Sequence, residues 1–378
     1  MWWPKSTTRE FWVVFDTSQY QKYYQDVHNV VAAPSGHILR YEYREPLLTP
    51  RALELARAGP NLPVLLIYAQ KNVAYVRGDR KSEVPPGTYD TIFVATRIAK
   101  MVNVVRQGEA YYFDFEVTGY PDNSNSQAVS EILQPLSSAN EVPFSKWVAT
   151  SQQVDALSAL SRDDGQNWNK LIDSLAQSPM QFSADAFWKV SGPFTREGRK
   201  LAHHHVIQKG GIAQVSSIVK VSDRRLFFVQ ITSSIPKAAP PNRPEYQVEL
   251  SITNSDVLKS VGNNICELRH YTTKNLEYHS EDAPIFGSTE SDLMLATKPE
   301  SPWPAGASIS IRHRITKSVF VVLLGILCGV ASVLFVVIGG SKLFENDVLN
   351  GTVILAIGAL LGAASKYMLT GKLEFSKP

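Results

Sequence analysis

Residues 318–340 read SVFVVLLGILCGVASVLFVVIGG, and this stretch decides how the chain is organised. It carries no charged side chain and, at roughly 23 residues, it is long enough to cross a bilayer as a helix. A second apolar stretch covers about 348–368 and is interrupted only by Lys366. About ten polar or turn-forming residues, SKLFENDVLN from position 341 on, separate the two. The pattern predicts a transmembrane hairpin of two helices within residues 316–371.

An alternative for this segment is a helical hairpin buried inside a soluble domain. A helix at the surface of a soluble core keeps polar residues on its outer face, whereas residues 318–340 are apolar on every face. The sequence therefore favours helices surrounded by lipid. Neither span has a charged residue at its centre, which argues against a transport pathway, because such pathways usually need ionisable groups.

Basic residues stand close to the outer ends of the two spans. Arg312, Arg314 and Lys317 precede the first span, and Lys366 and Lys372 lie at or beyond the end of the second. Because lysine and arginine collect on the cytoplasmic side of a membrane, we expect both termini in the cytoplasm. The N-terminal sequence lacks a charged segment followed by an apolar one, so no secretory signal is predicted. The expected location is the inner (plasma) membrane, with a multi-pass topology.

The composition is that of a folded protein. The chain has 378 residues, of which 44% are hydrophobic and 19% are charged. A net charge of +3 is too small to indicate nucleic acid as the main partner. The two cysteines, Cys266 and Cys328, lie in the soluble region and in the first span, so no disulfide framework is expected and a reducing compartment fits.

Residues 1–140 are predicted to form a β-rich N-terminal domain. A helix is indicated at 49–59, with Pro50 in its first turn and Gly59 as its stop, and another at 18–31. Short apolar or alternating runs indicate strands at 11–15, 38–44, 63–68, 91–95 and 110–117.

Two further segments lie between this domain and the membrane. Residues 141–182 repeat apolar side chains at helical spacing and are predicted to form a short helical connector. Residues 183–315 return to alternating strand patterns with turn signals between them, which favours a second β-rich domain resembling a sandwich or an open barrel. The expected fold class is therefore α+β but mostly β: two β-rich cytosolic modules, a connector and a C-terminal transmembrane hairpin.

The sequence contains no catalytic or cofactor fingerprint that we can identify. The patterns G-x-x-x-x-G-K-[ST], G-x-G-x-x-G, G-x-S-x-G and H-E-x-x-H are missing, and there is no paired C-x-x-C. We therefore assign no catalytic, cofactor-binding or metal-binding residue from the sequence.

Two groups of reactive side chains each have a simpler structural explanation. Histidines such as His203, His204 and His205 are good metal ligands, but three in a row cannot all face one ion, which favours a polar loop or an exposed strand edge. Cys266 and His270 would meet as nucleophile and base only on a helix, and a small buried thiol is the commoner role. The sequence thus favours structural roles for both groups.

Asp114 and Glu116 form a third group, on one face of a predicted strand. Two carboxylates at this spacing would suit a divalent cation. Their position opposite the apolar Phe113 and Phe115 favours a solvated polar face instead. The cation site remains the alternative.

Each span carries a GxxxG motif, with Gly325 and Gly329 in the first and Gly358 and Gly362 in the second. In lipid, small residues let helix backbones approach each other closely. One interpretation is that the two helices pack on each other within one chain. The other is that the same faces also join hairpins from several chains into a homo-oligomer.

These features favour a membrane-anchored, non-enzymatic sensor, scaffold or effector whose cytosolic β-rich domains bind a protein partner or a small ligand. The layout suits bacterial defence or stress systems, by analogy of architecture alone. One alternative is a membrane-anchored hydrolase with an unrecognised active site. Another is an oligomerising effector that disrupts membranes by forming a pore. Besides the lipid bilayer, a cytosolic protein is the expected partner.

The topology is testable with reporter fusions. A reporter that is active only in the cytoplasm, fused after Pro378, is expected to be active because the basic flanks place that end inside. The same reporter inserted within residues 341–347 is expected to be silent. Activity of a periplasm-only reporter after Pro378 would contradict the two-span topology.

Overall fold

Three β-sheets and a C-terminal pair of apolar helices make up the part of the chain described by a computed structural model. The described residues are 11–17, 24–45, 48, 54, 62–71, 91–121, 147–149, 165–177, 187–208, 213–234, 247–267, 272–285, 287–298, 307–345 and 347–370. Within them the fold is mostly β, as the sequence predicts.

The first sheet contains six strands. In chain order they are β1 (Phe11–Thr17), β2 (Ile38–Arg44), β3 (Pro63–Lys71), β4 (Thr91–Gln107), β5 (Ala110–Gly119) and β6 (Trp147–Ala149). Their order across the sheet is β2-β5-β4-β3-β1-β6, and β1 and β3 are its parallel neighbours. In β2, Tyr41 and Tyr43 pack on the core while Glu42 is exposed, because successive side chains of a strand point to opposite faces.

The second sheet has four strands and the third has six. The second consists of β7 (Phe187–Thr195), β10 (Leu226–Ser234), β12 (Leu258–Val261) and β14 (Thr272–Ser280), in the order β12-β14-β10-β7. The third consists of β8 (His203–Gln208), β9 (Gln214–Ser222), β11 (Gln247–Ile252), β13 (Ile265–Glu267), β15 (Thr289–Lys298) and β16 (Ser308–Thr316), in the order β13-β11-β15-β16-β9-β8. Its parallel pair is β16 and β9.

Side chains bridge the second and third sheets through the interior. Trp188 Nε1 on β7 donates a hydrogen bond of 2.8 Å to Thr297 Oγ1 on β15. Tyr278 on β14 donates its hydroxyl to His313 Nε2 on β16, also at 2.8 Å. His313 Nδ1 donates to the carbonyl oxygen of Ile311, which leaves Nε2 as the acceptor. The two sheets therefore pack face to face, which is consistent with the predicted sandwich.

The largest group of buried apolar side chains draws on all three sheets. It includes Phe113 and Phe115 of β5, Val229 of β10, and Ile309 and Ile311 of β16. The first sheet is therefore packed against the other two, and residues on both sides of the predicted connector contribute to one core.

A second, smaller core lies beneath two helices, α1 (Tyr24–Ala32) and α2 (Gly165–Gln177). Trp168, Leu171 and Leu175 of α2 are fully buried, since their spacing of three and four residues places them on one face. They meet Val27 and Val31 of α1, and further members of this core are Tyr68, Val94, Tyr120 and Phe187.

The strand pattern of the first region was readable from the sequence, and β2 has the predicted bounds. The main difference there is β4, which continues to Gln107 instead of ending at residue 95. Residues 147–149, within the predicted connector, form β6, whereas 165–177 form α2 as a connector helix. The predicted helix at 49–59 lies outside the described residues except for Glu54, as does the first part of the one predicted at 18–31.

Asp114 on β5 is buried and belongs to an ion pair, so the predicted solvated face is wrong at this position. Its carboxylate accepts 2.7 and 2.9 Å bonds from Nε and Nη2 of Arg40 and a 2.8 Å bond from Nδ2 of Asn103. The backbone N–H of Val215, at the start of β9, donates a fourth bond of 3.1 Å. Alternation predicted the face correctly, but the third sheet covers that face and excludes water.

The same contacts leave little capacity for a divalent cation. Both oxygens of Asp114 are already occupied by protein donors. Arg40 also donates to the carbonyl oxygen of Ala213 at 2.9 Å, so the ion pair ties the first sheet to the segment that leads into β9. Glu116 is the second carboxylate of the predicted cation site. Its Oε1 lies 3.6 Å from Nε2 of His205 instead.

Removing this charge tests its role. Asp114→Asn leaves the guanidinium of Arg40 without a counter-ion and brings amide hydrogens against existing donors. We expect a loss of stability of about 3–5 kcal/mol, the usual cost of breaking a buried pair. Glu116→Gln, two residues along the same strand, is the matched control and should change stability by less than about 1 kcal/mol. Thermal unfolding of the detergent-solubilised chain measures both, and equal effects would contradict this role for Asp114.

Candidate functional site

The C-terminal hairpin consists of α3 (Val319–Phe344) and α4 (Val348–Thr370). Both helices are long and apolar enough to cross a membrane, and only 6% and 17% of their most apolar windows are buried within the protein. Large apolar side chains such as Phe320, Leu327 and Leu360 are 72%, 65% and 71% exposed. A core hairpin of a soluble domain would bury such residues, so these helices suit association with a lipid phase.

Two serines join the helices through reciprocal hydrogen bonds. Ser332 on α3 donates to the carbonyl oxygen of Gly358 on α4 at 2.7 Å. Ser365 on α4 donates to the carbonyl oxygen of Gly325 on α3, also at 2.7 Å. Because lipid offers a hydroxyl no partner, each bond satisfies a polar group where it would otherwise be costly.

The remaining two predicted glycines make room for these serines. A Cβ atom on Gly329 would lie 3.0 Å from Ser365 Oγ, and one on Gly362 would lie 2.9 Å from Ser332 Oγ. All four predicted glycines therefore face the other helix of the same chain. This geometry agrees with packing of the two helices on each other within one chain. Association between several chains stays a prediction.

An internal repeat, which extends beyond the two GxxxG motifs, explains the symmetry of the contact. Residues 325–332 read GILCGVAS and residues 358–365 read GALLGAAS, so both helices contain G-x-L-x-G-x-A-S. In two antiparallel helices the same short motif can serve once as donor and once as acceptor. Ser332 and Ser365 are the residues that indicate this contact. A single serine in an apolar span does not suggest a helix contact until the two motifs are aligned with each other.

The closest approach of the helices is near the connecting loop. A Cβ on Gly339 would lie 3.0 Å from the backbone nitrogen of Leu355 and 3.1 Å from the carbonyl oxygen of Gly351. One on Gly351 would lie 3.0 Å from the carbonyl oxygen of Gly339. Here backbone meets backbone, so a side chain at either position would require the facing helix to shift.

The outer end of α4 is held by two cations of the β-rich part. Lys317, between β16 and α3, donates to the carbonyl oxygen of Leu369. Arg224, in the turn between β9 and β10, donates to the carbonyl oxygen of Tyr367 at 3.2 Å and stacks on its ring at 5.1 Å. The last carbonyls of a helix lack internal partners and carry partial negative charge, so cations stabilise them.

The acidic residues beside these cations complete the junction. Asp223 lies 3.8 Å from Lys317, and its backbone N–H donates to the carbonyl oxygen of Thr316 at 3.0 Å. Asp282 pairs with Arg224. The junction therefore connects α4, the end of β16 and the β9–β10 turn.

The other basic residues predicted to flank the membrane have different surroundings. Arg312 and Arg314 lie on β16 and pair with carboxylates of β15, Asp292 at 3.1 Å and Glu290 at 2.6 Å. Lys366 is exposed near the end of α4. Lys372 lies outside the described residues.

The three consecutive histidines lie on β8, an edge strand of the third sheet. His203 points inward, where Nε2 donates to the carbonyl oxygen of Gly192 at 3.4 Å and Nδ1 accepts from the hydroxyl of Ser217 at 2.6 Å. Burial lowers the pKa of His203 to about 4, so it is neutral at pH 7. His204 and His205 are both exposed.

Neither the histidines nor Cys266 belongs to a visible catalytic or metal centre. Among the described residues, no group of three or more His, Cys, Asp or Glu side chains could hold a metal ion. Cys266 is buried on β13, and burial raises the pKa of its thiol, which disfavours the reactive thiolate. His270, its predicted partner, lies outside the described residues.

Comparison with known proteins identifies no family. No protein-family model and no curated protein matches this sequence. A solved structure of the CsuC–CsuE chaperone–tip adhesion subunit complex of Acinetobacter baumannii pili matches 27% of this chain and 54% of that chain, at 9% identity and a TM-score of 0.20. The match thus spans about half of that chain.

Two further solved structures are similar over short regions. A FixG-related protein from Vibrio parahaemolyticus matches 31% of this chain and 96% of that chain, at 8% identity and a TM-score of 0.18. The N-terminal domain of PorA matches 30% of this chain and 98% of that chain, at 12% identity and a TM-score of 0.17. Scores this low carry no argument about fold or function.

Adjacent glycines offer a matched test of the helix contact. Gly339→Ala places a methyl group 3.0 and 3.1 Å from two backbone atoms of α4, which would have to shift by a few tenths of an ångström, so we expect a loss of stability on the order of 1–3 kcal/mol. Gly340→Ala is the control, because a Cβ there meets nothing within 4 Å and alanine is the better helix former.

Hydrogen exchange of the solubilised chain, read separately for α3 and α4 by mass spectrometry, measures the effect. We expect roughly tenfold faster exchange in Gly339→Ala and unchanged or slower exchange in Gly340→Ala. Identical exchange in the two variants would show that the helices are not packed at this point.

Proposed function

We propose that this protein is a membrane-anchored, non-enzymatic binding protein. Its hairpin crosses the inner (plasma) membrane twice, and both termini lie in the cytoplasm. Its β-rich part, organised as two modules, binds a protein partner or a small ligand close to the membrane surface. The role is that of a sensor, scaffold or effector, and bacterial defence or stress systems are the setting we favour.

The observation that carries the proposal is the junction formed by Lys317 and Arg224. These side chains bind the carbonyl end of α4, while α3 begins directly after β16. Both outer ends of the hairpin thus meet the β-rich part, and Glu345 and Asp347 lie at the opposite end. A β-rich part bonded to both ends is held in one orientation, as suits presentation of a binding surface at a membrane.

Charge distribution supports the cytoplasmic orientation. Lys317 and Lys366 lie at the outer ends of the helices, whereas the loop contains Glu345 and Asp347 beside Lys342. Positive charge is retained on the cytoplasmic side during insertion. Since the β-rich part is bonded to the outer ends, it occupies the same side.

The two alternatives have less support. A hydrolase needs a nucleophile with a base in reach and a group that orients the base. The hydroxyl of Ser217 donates to Nδ1 of His203 at 2.6 Å, but Nε2 of that ring bonds the carbonyl oxygen of Gly192 and not a carboxylate. A pore-forming oligomer needs contacts between several chains, and the contacts of the four glycines are explained by the other helix of their own chain. Hydrolysis of simple ester or phosphoester substrates by the purified protein would favour the first alternative.

A double variant tests the anchored orientation. Arg224→Ala/Lys317→Ala removes both donors to α4 and leaves the spans unchanged, so the protein should remain in membranes after an alkaline carbonate wash. Because the β-rich part is then tied to α3 by the backbone alone, we expect thermolysin to release it several-fold faster. Release is measured by gel electrophoresis of the supernatant.

Arg314→Ala is the control, because it removes a partly exposed ion pair with Glu290 on β16, the strand that precedes α3, and this pair does not involve the helices. It should leave the rate of release unchanged. Unchanged release from the double variant would mean that the junction does not hold the β-rich part. Recovery of the parent protein in the soluble fraction would overturn the membrane anchor itself.

A further inference from the structure

Three exposed arginines lie at the end of the second sheet that adjoins the hairpin. They are Arg196, Arg199 and Arg225, and we call them the arginine cluster. Arg225 directly follows Arg224, whose guanidinium donates to the carbonyl oxygen of Tyr367 on α4. Because consecutive Cα atoms are only about 3.8 Å apart, Arg225 lies at the level of the end of α4.

Arg196 and Arg199 belong to the short turn that follows β7. The backbone N–H of Thr195 donates to the carbonyl oxygen of Arg199, and the N–H of Gly198 donates to that of Thr195, both at 2.9 Å. Thr195 pairs with Phe227, near the start of β10, so this turn lies beside the β9–β10 turn. The arginine cluster is therefore carried by two neighbouring turns at the same end of the sheet.

The arginine cluster has an excess of positive charge. Within the described part of the chain, none of its guanidinium groups forms a salt bridge, whereas most carboxylates close to it already have basic partners. These pairs are Asp282 with Arg224, Asp223 with Lys317, and Glu281 with Lys259. Glu197, in the turn after β7, interacts electrostatically with Arg225 and Arg196. One carboxylate thus stands against the three guanidinium charges of the cluster.

The apolar surface of the hairpin begins at this same end of the sheets. α3 starts two residues after β16, and its first two side chains, Val319 and Phe320, are 73% and 72% exposed. With 26 residues, α3 is about 39 Å long, whereas the hydrocarbon core of a bilayer is about 30 Å thick. The excess leaves about 5 Å for the headgroup layer at each end. The arginine cluster lies at that level.

Phosphate groups suit these side chains as partners. A guanidinium can bond two oxygens of one phosphate, and this contact is stronger than a hydrogen bond between neutral groups. Basic residues are attracted to an anionic membrane surface within a Debye length, which is about 8 Å at physiological ionic strength. A zwitterionic headgroup carries its own ammonium group, so a net attraction requires anionic lipid.

We propose that the arginine cluster binds the phosphate groups of anionic phospholipids in the cytoplasmic leaflet. The contact holds the end of the second sheet on the membrane surface beside the hairpin. This inference rests on the membrane anchor proposed above and names the class of lipid that the anchored protein prefers. Insertion depends on the apolar helices and not on these arginines, so the lipid contact can fail while the anchor stands.

The test uses the full-length chain in two kinds of nanodisc, one of phosphatidylcholine alone and one that also contains phosphatidylglycerol. Exposed arginines are modified with phenylglyoxal, and the rate at each position is read by mass spectrometry. We expect the arginine cluster to react several-fold more slowly in the anionic nanodiscs. High ionic strength should remove this protection. Co-elution of protein and nanodisc reports on the anchor independently.

Arg44 is the reference within the same molecule, because it is exposed and lies away from the hairpin. Asp114 of β5 contacts Val215, seven residues or about 23 Å along β9 from the end that adjoins the hairpin. Arg44 pairs with Ala110, four residues farther along β5 from Asp114. We expect Arg44 to react at the same rate in both kinds of nanodisc.

A triple variant tests the preference for anionic lipid. Arg196→Gln/Arg199→Gln/Arg225→Gln should fold like the parent, because these side chains are exposed and form no salt bridge among the described residues. After mild detergent extraction from the mixed nanodiscs, it should retain several-fold less phosphatidylglycerol than the parent protein. The retained lipids are counted by mass spectrometry.

The control variant, Arg44→Gln/Arg106→Gln/Lys274→Gln, removes the same amount of charge from positions away from the hairpin. Lys274 is exposed on β14 and pairs with Ile231, five residues beyond the start of β10. This variant should retain as much phosphatidylglycerol as the parent protein.

Three results would overturn the proposal and leave the anchor intact. The first is modification of the arginine cluster at equal rates in both nanodiscs, and the second is an equal loss of phosphatidylglycerol from both triple variants. The third is protection of the cluster by inorganic phosphate in phosphatidylcholine nanodiscs, compared with sodium chloride at matched ionic strength, which would assign it to a soluble anion. Failure of the parent protein to co-elute with either nanodisc would overturn the anchor and this inference together.

Discussion

The ion pair between Asp114 and Arg40 is the constraint on which the packing of the sheets depends. Asp114 is on the first sheet, and its fourth hydrogen-bond donor, the backbone N–H of Val215, is on the third. A charge taken out of water is tolerated only when its partners are complete, so the two sheets must meet in one relative position. The apolar core shared by all three sheets supplies the non-directional attraction, and this ion pair supplies the register.

The same division between attraction and direction applies to the hairpin. Close contact at glycines lets α3 and α4 approach, but glycines alone would permit several alignments. The hydroxyls of Ser332 and Ser365 select one alignment, since each finds its carbonyl only there. At the outer end, Lys317 and Arg224 do the same for the placement of the hairpin against the sheets.

The sequence predicts those parts of the structure that depend on one-sided burial. Strand β2 alternates because one of its faces meets the core, and the two apolar helices are readable because lipid-facing helices need no polar face. β4 is buried on both faces around Arg97, and bulges interrupt its pairing with both neighbouring strands. Its sequence therefore lacks the alternation of apolar and polar residues, and the predicted strand ends too early. Asp114 was misread because alternation cannot tell a face covered by water from one covered by another sheet.

The two equal motifs of the hairpin have a mechanical consequence. Sliding α3 along α4 by one turn, about 5.4 Å, would break both serine bonds together. The two bonds therefore oppose sliding of one helix past the other and favour a tilt of the two helices together. β16 is an inner strand of the third sheet, and α3 begins two residues after it. Such a tilt would therefore move the end of a strand in the middle of that sheet.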